Sequence, residues 1–372
     1  MTRQKIQILF KHPVLRGYRV PFFQGIVEKF QVKFLFNRVP AITDFPFVYI
    51  GTTKKSMWLD FRATRNFLRE LIFSNYDIFI TSTPKASASI LGIKIAKFRK
   101  RKVIVWEESW CYPTKMLKSK VTFFLLHPVF NIPNAFFITS TKTLELNQEI
   151  KRRDPSQLFL APQCSLDYSK FNTIPIDLNN AQGKKIILYL SRIIYLKGLD
   201  VLIRAYSVIK KKDKDTLLLI VGDGDFKEEC ESLALSLNLK DCLFYGSVAE
   251  NNYELKASLY QLCDVFVLPS RFVKSRSEGW GIVVNEAMSM SKPVVVTDAV
   301  GCSDDMVQHG GNGYVVKYSS VKEITEAILK VLRNENKRKK MGEISRKIFD
   351  ENNQYQKMIK VFNDAVRFAL ES

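Results

Sequence analysis

Short apolar runs alternate along this chain with longer stretches of helical period. In the first half the runs fall at residues 5–10, 32–36, 47–50, 77–82, 102–107, 135–140 and 158–161. Each has the length of a strand and is rich in Val, Ile and Phe. Between them lie stretches such as Trp58–Phe73 and Ser87–Phe98, where apolar residues return every three or four positions, as on one face of a helix. The same alternation resumes at Lys184 and continues to about Lys330. Its strand-like runs include Lys185–Leu190, Leu217–Val221, Leu243–Ser247, Val265–Ser270 and Pro293–Asp298. Strands with no polar face, separated by helices, predict parallel sheets covered on both sides. Residues 162–183 lack periodicity and carry Pro162, Pro175, Asn179, Asn180 and Gly183, which predicts a linker between two such halves. The tail, Asn334–Ser372, predicts two helices. A chain of 372 residues is long for one core and suits two domains.

Candidate chemistry gathers where strands of the second half end. Glu278 and Glu286 stand eight residues apart, with the turn Gly279-Trp280-Gly281 between them opening an apolar helix. A strand, a glycine turn and a helix place a site outside the carboxyl end of a parallel sheet, where such folds take ligands. Glycines let backbone N–H groups approach a ligand closely, and a helix N-terminus favours an anion. A carboxylate accepts from the paired hydroxyls of a ribose or a hexose. Upstream, Lys185–Leu190 is followed by Ser191-Arg192 and then Lys197-Gly198-Leu199-Asp200. Two cations between a strand end and a helix start suit a diphosphate, Arg as a planar fork and Lys as a point charge. Leu217–Val221 runs into Gly222-Asp223-Gly224, and another strand closes on Gly246-Ser247. The chemistry indicated is a sugar attached to a phosphate.

Together these segments resemble the signature of glycosyltransferase family 4, the retaining group 1 transferases of GT-B fold. The resemblance rests on Leu268-Pro269-Ser270, Glu278-Gly279-Trp280-Gly281, Glu286-Ala287-Met288 and Lys292-Pro293-Val294-Val295, and covers about residues 184–350. It implies an α/β protein of two Rossmann-like doubly wound domains facing a cleft. Residues 1–165 are expected to bind the acceptor and 184–350 the nucleotide sugar, joined by a linker at 166–183. A last helix within 351–372, Asn353–Leu370, is expected to cross back to the first domain. By the same resemblance, Arg192 and Lys197 hold the diphosphate and Glu286 the ribose hydroxyls. Glu278 and the amides of Gly279, Trp280 and Gly281 orient the sugar. Gly222, Gly224, Gly246 and Ser247 line the nucleotide. The implied reaction transfers a sugar from a nucleotide-diphosphate sugar to a glycan or polyprenyl-linked acceptor in bacterial surface polysaccharide synthesis. It needs no metal or other cofactor.

The first half departs from that family. No Gly-Gly loop follows the first strand. In its place stand His12, Arg16-Gly17-Tyr18-Arg19 and Pro21, with Gly17 able to supply the turn, and His12, Arg16 and Arg19 as phosphate or acceptor candidates. No His ends the fifth strand. Trp106-Glu107-Glu108-Ser109-Trp110 occupies that place, which makes Glu107 and Glu108 further candidates.

Charge is unevenly spread. The chain carries 57 Lys and Arg against 37 Asp and Glu, but residues 1–175 alone hold 28 against 11, and 20 of the 27 Phe. A basic, aromatic half predicts attraction to an anionic membrane surface. It is concentrated in Phe98–Lys102, in Lys115–Leu126 followed by His127–Phe130, and in Lys151-Arg152-Arg153. The middle stretch reads as an interfacial helix or a core helix. The six Cys are scattered and the three His do not cluster, so no metal motif is legible and a reducing compartment fits. No signal peptide and no spanning stretch of about 18 apolar residues is seen, so the expected location is cytoplasmic, peripheral on the inner face of the cell membrane. Two other readings are a nucleotide-sugar epimerase of the same fold and, from the +20 charge, a basic nucleic-acid-binding protein. No nucleic-acid motif accompanies that charge.

Overall fold

Strand β1, Gln7–His12, is buried from its second residue onward, Lys11 and His12 included. A strand so enclosed must be covered on both faces, and the computed structural model shows why. It describes residues 5–37, 47–49, 61–82, 87–110, 131–178, 181–274 and 276–372. These divide into two compact units. The first takes the described residues of 1–109, 113–163 and 354–372, and the second takes Trp110 and Cys164–Asn353.

In the first unit β1 is followed by α1 (Val20–Lys29), β2 (Gln31–Phe36), β3 (Phe47–Tyr49), α2 (Phe61–Phe73), β4 (Ile78–Thr81), α3 (Ser87–Phe98), β5 (Lys102–Glu107), β6 (Ala135–Ile138), α4 (Thr141–Glu145) and β7 (Leu158–Leu160). The strands form one parallel sheet in the order β3-β2-β1-β4-β5-β6-β7. The order reverses at β1, so the crevice of this doubly wound sheet opens at its carboxyl end, past His12.

The second unit runs β8 (Lys185–Leu190), α5 (Leu199–Lys212), β9 (Thr216–Val221), α6 (Lys227–Ser236), β10 (Cys242–Gly246), α7 (Tyr253–Leu262), β11 (Val265–Leu268), α8 (Ile282–Ser289), β12 (Val294–Thr297), α9 (Ser303–Met306), β13 (Gly313–Val316), α10 (Val321–Leu332) and α11 (Glu335–Asn352). Its parallel sheet has the order β10-β9-β8-β11-β12-β13 and reverses at β8. Alternate residues of β8 enter different cores. Ile187 and Tyr189 join one cluster, and Ile186, Leu188 and Leu190 the other, as the two-residue period of a strand requires.

The stretch read as a linker is largely packed. Tyr168 is buried in the second core, and Leu166, Phe171, Ile176 and Leu178 pack beside it. Asp167 accepts from both guanidinium nitrogens of Arg346, at 2.8 and 2.9 Å. The final helix, α12 (Tyr355–Glu371), belongs to the first unit. Its Phe362 enters a ring cluster with Phe10, Phe22 and Phe137, at centroid distances of 6.4, 5.5 and 5.6 Å.

That cluster corrects the reading of the aromatic excess. Phe10, Phe22, Phe23, Phe34, Phe36 and Phe137 are all fully or almost fully buried. Among the described residues most first-half phenylalanines fill a core, each burial contributing about 2 kcal/mol before entropy is set against it. Phe73 and Phe98 instead face solvent, 79% and 89% exposed. The Lys115–Leu126 and His127–Phe130 stretches lie outside the described residues. No helix among the described residues is long and apolar enough to cross a membrane.

Candidate functional site

The reversal of strand order in the second unit leaves a gap between the carboxyl ends of β8 and β11. Two loops meet over it. One runs from Ser191 to Gly198, between β8 and α5, and the other from Pro269 to Gly281, between β11 and α8. They bring Lys197 and Glu278, 81 residues apart in sequence, into an ion pair between Lys197 Nζ and Glu278 Oε2. The Lys197 side chain is 8% exposed and that of Glu278 17%. Arg192 sits at the same strand end, but its side chain is exposed and makes no hydrogen bond or ion pair among the described residues. A sheltered, paired cation therefore stands in the same loop as an open one.

Backbone contacts fix the Glu278 loop. Its N–H donates to Ala299 O at 3.2 Å, and Gly301 N–H donates to Glu278 O at 3.1 Å. Trp110 Nε1 also donates to Glu278 O, at 2.8 Å. Gly281 follows as the N-cap of α8. The Trp280 side chain does not line the site. It is 3% exposed, and its Nε1 donates to Asn285 Oδ1 at 2.9 Å, so only its backbone remains a candidate. The alternation along Gly-Trp-Gly turns that ring into the second core.

Glu286, on the first turns of α8, is 6% exposed and accepts from the Tyr260 hydroxyl at 2.7 Å. Burial raises its pKa above the ordinary carboxylate value, against which the Tyr260 hydrogen bond and the positive charge of Lys256 act. Tyr260 was not legible as a site residue, because α7 carries no motif.

On the other side, β9 ends at Gly222-Asp223-Gly224. Gly222 takes φ +148°, and a Cβ there would stand 1.9 Å from Ser191 O. Only glycine lets this turn lie against the Ser191–Ile193 backbone. Ile193 N–H donates to Asp223 O at 2.8 Å, and Gly222 N–H to Gly246 O at 2.8 Å. The Gly224 backbone faces Ile193 in the same way. Gly246 lies over open space and Ser247 is exposed beside it.

The first-unit candidates are arranged differently. A single 3-10 turn, Gly17–Arg19, follows β1, and the Tyr355 hydroxyl donates to Tyr18 O. Arg19 points inward and is 8% exposed. It donates to Glu108, to His12 Nε2, and to Gln163 Oε1 at 3.3 Å. It is thus engaged and cannot meet a phosphate without breaking this network. His12 has Nδ1 within 2.9 Å of Val14 O. Burial, and then the charge of Arg19, hold the His12 pKa well below the usual histidine value. The imidazole is neutral, with Nδ1–H donating to Val14 O and Nε2 accepting from Arg19. Arg16 is exposed at the turn. Glu107 is 2% exposed and paired with both Lys151 and Arg153. This removes it as a free acceptor contact. It also shows that two cations of the Lys151-Arg152-Arg153 run neutralise a buried carboxylate, with Arg153 3.5 Å above the Phe136 ring. Among the described residues no group of three or more His, Cys, Asp or Glu gathers as metal ligands do.

Residues 170–348 match the glycosyl transferases group 1 family. That match takes in just under half of the chain. It contains Arg192, Lys197, Glu278 and Glu286. An uncharacterized glycosyltransferase of Methanocaldococcus jannaschii is 33% identical over 156 residues, 42% of this chain and 40% of that protein. A GDP-mannose-dependent alpha-(1-6)-phosphatidylinositol monomannoside mannosyltransferase of Mycobacterium tuberculosis is 33% identical over 163 residues, 43% of this chain and 41% of that protein. The matched stretch thus spans about two fifths of these relatives. A crystal structure of Anabaena HepE in complex with UDP-glucose superposes with a TM-score of 0.77 at 16% identity, covering 97% of this chain and 99% of that one. The fold is GT-B.

Proposed function

We propose that this protein is a retaining glycosyltransferase that moves a sugar from a nucleotide-diphosphate sugar to a glycan or lipid-linked glycan, in bacterial surface polysaccharide synthesis. One observation carries the reading. Within the group 1 segment, exposed Arg192 and the Lys197–Glu278 pair stand at the strand-order reversal of the second sheet. A relative named as GDP-mannose-dependent and a structural neighbour in complex with UDP-glucose support a nucleotide-sugar donor.

In this reading Arg192 and Lys197 neutralise the charge that grows on the leaving diphosphate, a role a metal ion plays in other transferases. Glu286 holds the ribose hydroxyls. Glu278 and the amides of Gly279–Gly281 orient the sugar. The acceptor hydroxyl forms a new bond to the anomeric carbon on the face that the diphosphate leaves. The anomeric carbon–oxygen bond to the diphosphate breaks with its electron pair, and the acceptor proton passes to a diphosphate oxygen. No protein nucleophile is required.

A peripheral place on an anionic membrane surface is part of the same proposal. Its support is the basic first half and the exposed pair Phe73 and Phe98, with exposed Lys97 and Lys100 beside Phe98. Arg99 donates to Leu71 O and Ser74 O at 2.9 and 3.0 Å, which pins the ends of α2 and α3 together. Flotation with anionic vesicles at moderate salt should recover the protein, and loss of flotation in neutral vesicles should follow. Recovery in neither would leave a soluble acceptor.

The donor is tested with a panel of nucleotide-diphosphate sugars in metal-free buffer. One base family should raise the unfolding temperature and be slowly hydrolysed. Arg192→Ala and Glu286→Gln should abolish transfer with the fold intact. Full activity in either variant would refute the site.

A further inference from the structure

Arg271 belongs to none of the motifs above, yet it ties the two loops of the site together. It stands three residues past the end of β11 and is 6% exposed. Its guanidinium pairs with Asp200, the second residue of α5, and lies 4.3 Å above the ring of Tyr195. Its backbone N–H donates to Leu196 O at 2.8 Å. Asp200, Tyr195 and Leu196 flank Lys197 on both sides. A single side chain and its own amide therefore hold the 195–200 loop at three points.

The same contact is tight enough to exclude a methyl group. Gly198 takes φ +69°, and a Cβ there would stand 2.0 Å from Pro269 O and 3.6 Å from Arg271 Nε. The loop that carries Lys197 thus lies directly on the start of the loop that leads to Glu278. The Lys197–Glu278 pair alone does not fix that approach. A lysine stem is flexible and its ammonium is a point charge, so its position follows from the backbone beneath it. A buried guanidinium held by a carboxylate and a ring is a rigid fork, suited to setting such a position.

We infer that Arg271 is a positioning residue. Through Asp200, Tyr195 and the Leu196 carbonyl it places Lys197 against Glu278 and thereby at the leaving diphosphate. The second half of this inference rests on the donor reading above. The first half does not.

A double-mutant cycle on chemical unfolding tests the first half without any ligand. Lys197→Met, Glu278→Gln and their combination are measured in the parent and again with Arg271→Ala. The parent should show coupling between positions 197 and 278, and Arg271→Ala should remove it. Coupling of unchanged size in the Arg271→Ala background would overturn the inference. If Arg271→Ala does not fold, Tyr195→Ala and Asp200→Asn release the guanidinium from outside. Each should weaken the coupling, and unchanged coupling in both counts against it equally. With a donor that the parent binds, Arg271→Ala should weaken affinity about tenfold and lower kcat, and Arg271→Lys should recover part of both. A variant that lost only thermal stability, with KM and kcat unchanged, would show a structural role and overturn the positioning claim. If no nucleotide-diphosphate sugar binds the parent, the donor reading fails while the unfolding cycle still decides the role of Arg271.

Discussion

In the first sheet two arginines follow β1, and while Arg16 is exposed, Arg19 turns inward and joins Glu108, His12 and Gln163. In the second sheet the arginine that follows the central strand, Arg192, stays exposed, with the Lys197–Glu278 pair in the same crevice. Both loops leave the strand at which the order of a doubly wound sheet reverses. Topology therefore offers the same kind of ligand position twice, and side-chain pairing decides which one is left open. A cation already engaged by a carboxylate, an imidazole and an amide in a dry setting supports the fold. One held in water with its donors unused can still meet an anion.

The largest effects should separate along this line. Arg19→Ala should lower stability by about 3 kcal/mol, because it strands Glu108 and opens a buried network. Arg192→Ala should leave unfolding unchanged and reduce kcat/KM at least about 100-fold, or about 2.7 kcal/mol of transition-state stabilisation. Denaturant unfolding and steady-state kinetics on both variants check the contrast. It breaks if Arg192→Ala unfolds as easily as Arg19→Ala.

A smaller effect sharpens the contrast within the second unit. Gly222→Ala places a methyl against Ser191 O in a strained conformation and should cost about 2–3 kcal/mol. Gly246→Ala, at φ +97° but with open space around its Cβ, should cost about 1 kcal/mol from backbone strain alone. Equal losses in urea titrations would mean that the packing of the Gly222 turn on the β8 loop adds nothing.

Titration supplies the smallest effects. His12 is held neutral in the folded protein, and its unfolded pKa is about 6.5. As pH falls below about 6.5 the unfolded chain takes up a proton that the folded one refuses. Stability should then drop, by at most about 1.4 kcal/mol per pH unit from this group. His12→Asn should flatten that slope. Glu286 has the opposite sign. Its folded pKa is raised, so stability falls as pH rises from its unfolded value, about 4.3, through the folded one. Glu286→Gln should remove this decline while it abolishes activity. Unfolding curves from pH 4 to 8 would expose either error.

Much of this was legible in the sequence. The strand runs fall within a few residues of β1–β12 because a strand buried on both faces must be apolar throughout, and that pattern is local, whereas the short β13 was not read. Glu278, Gly281 and Glu286 were legible because a glycine turn and a helix start constrain neighbouring positions. The partners were not. Nothing near Glu107 predicts Lys151 and Arg153, some 44 and 46 residues away, and nothing in α7 marks Tyr260 as the group beneath Glu286. Arg271 has Pro-Ser before it as its only sequence signal.

The sequence by itself determined two parallel α/β halves, the place of the glycine turns and the residue types at the strand ends. Hydrophobic period and glycine steric freedom act over a few residues, so they can be read along the chain. Tertiary structure alone decided which charges are spent on each other. It turned Arg19, Lys151 and Arg153 inward, sent the phenylalanine excess mostly into a core that α12 completes, and left Arg192 in water. Those outcomes depend on desolvation and on distances between residues remote in sequence, and both come into being only when the sheet has brought their elements together.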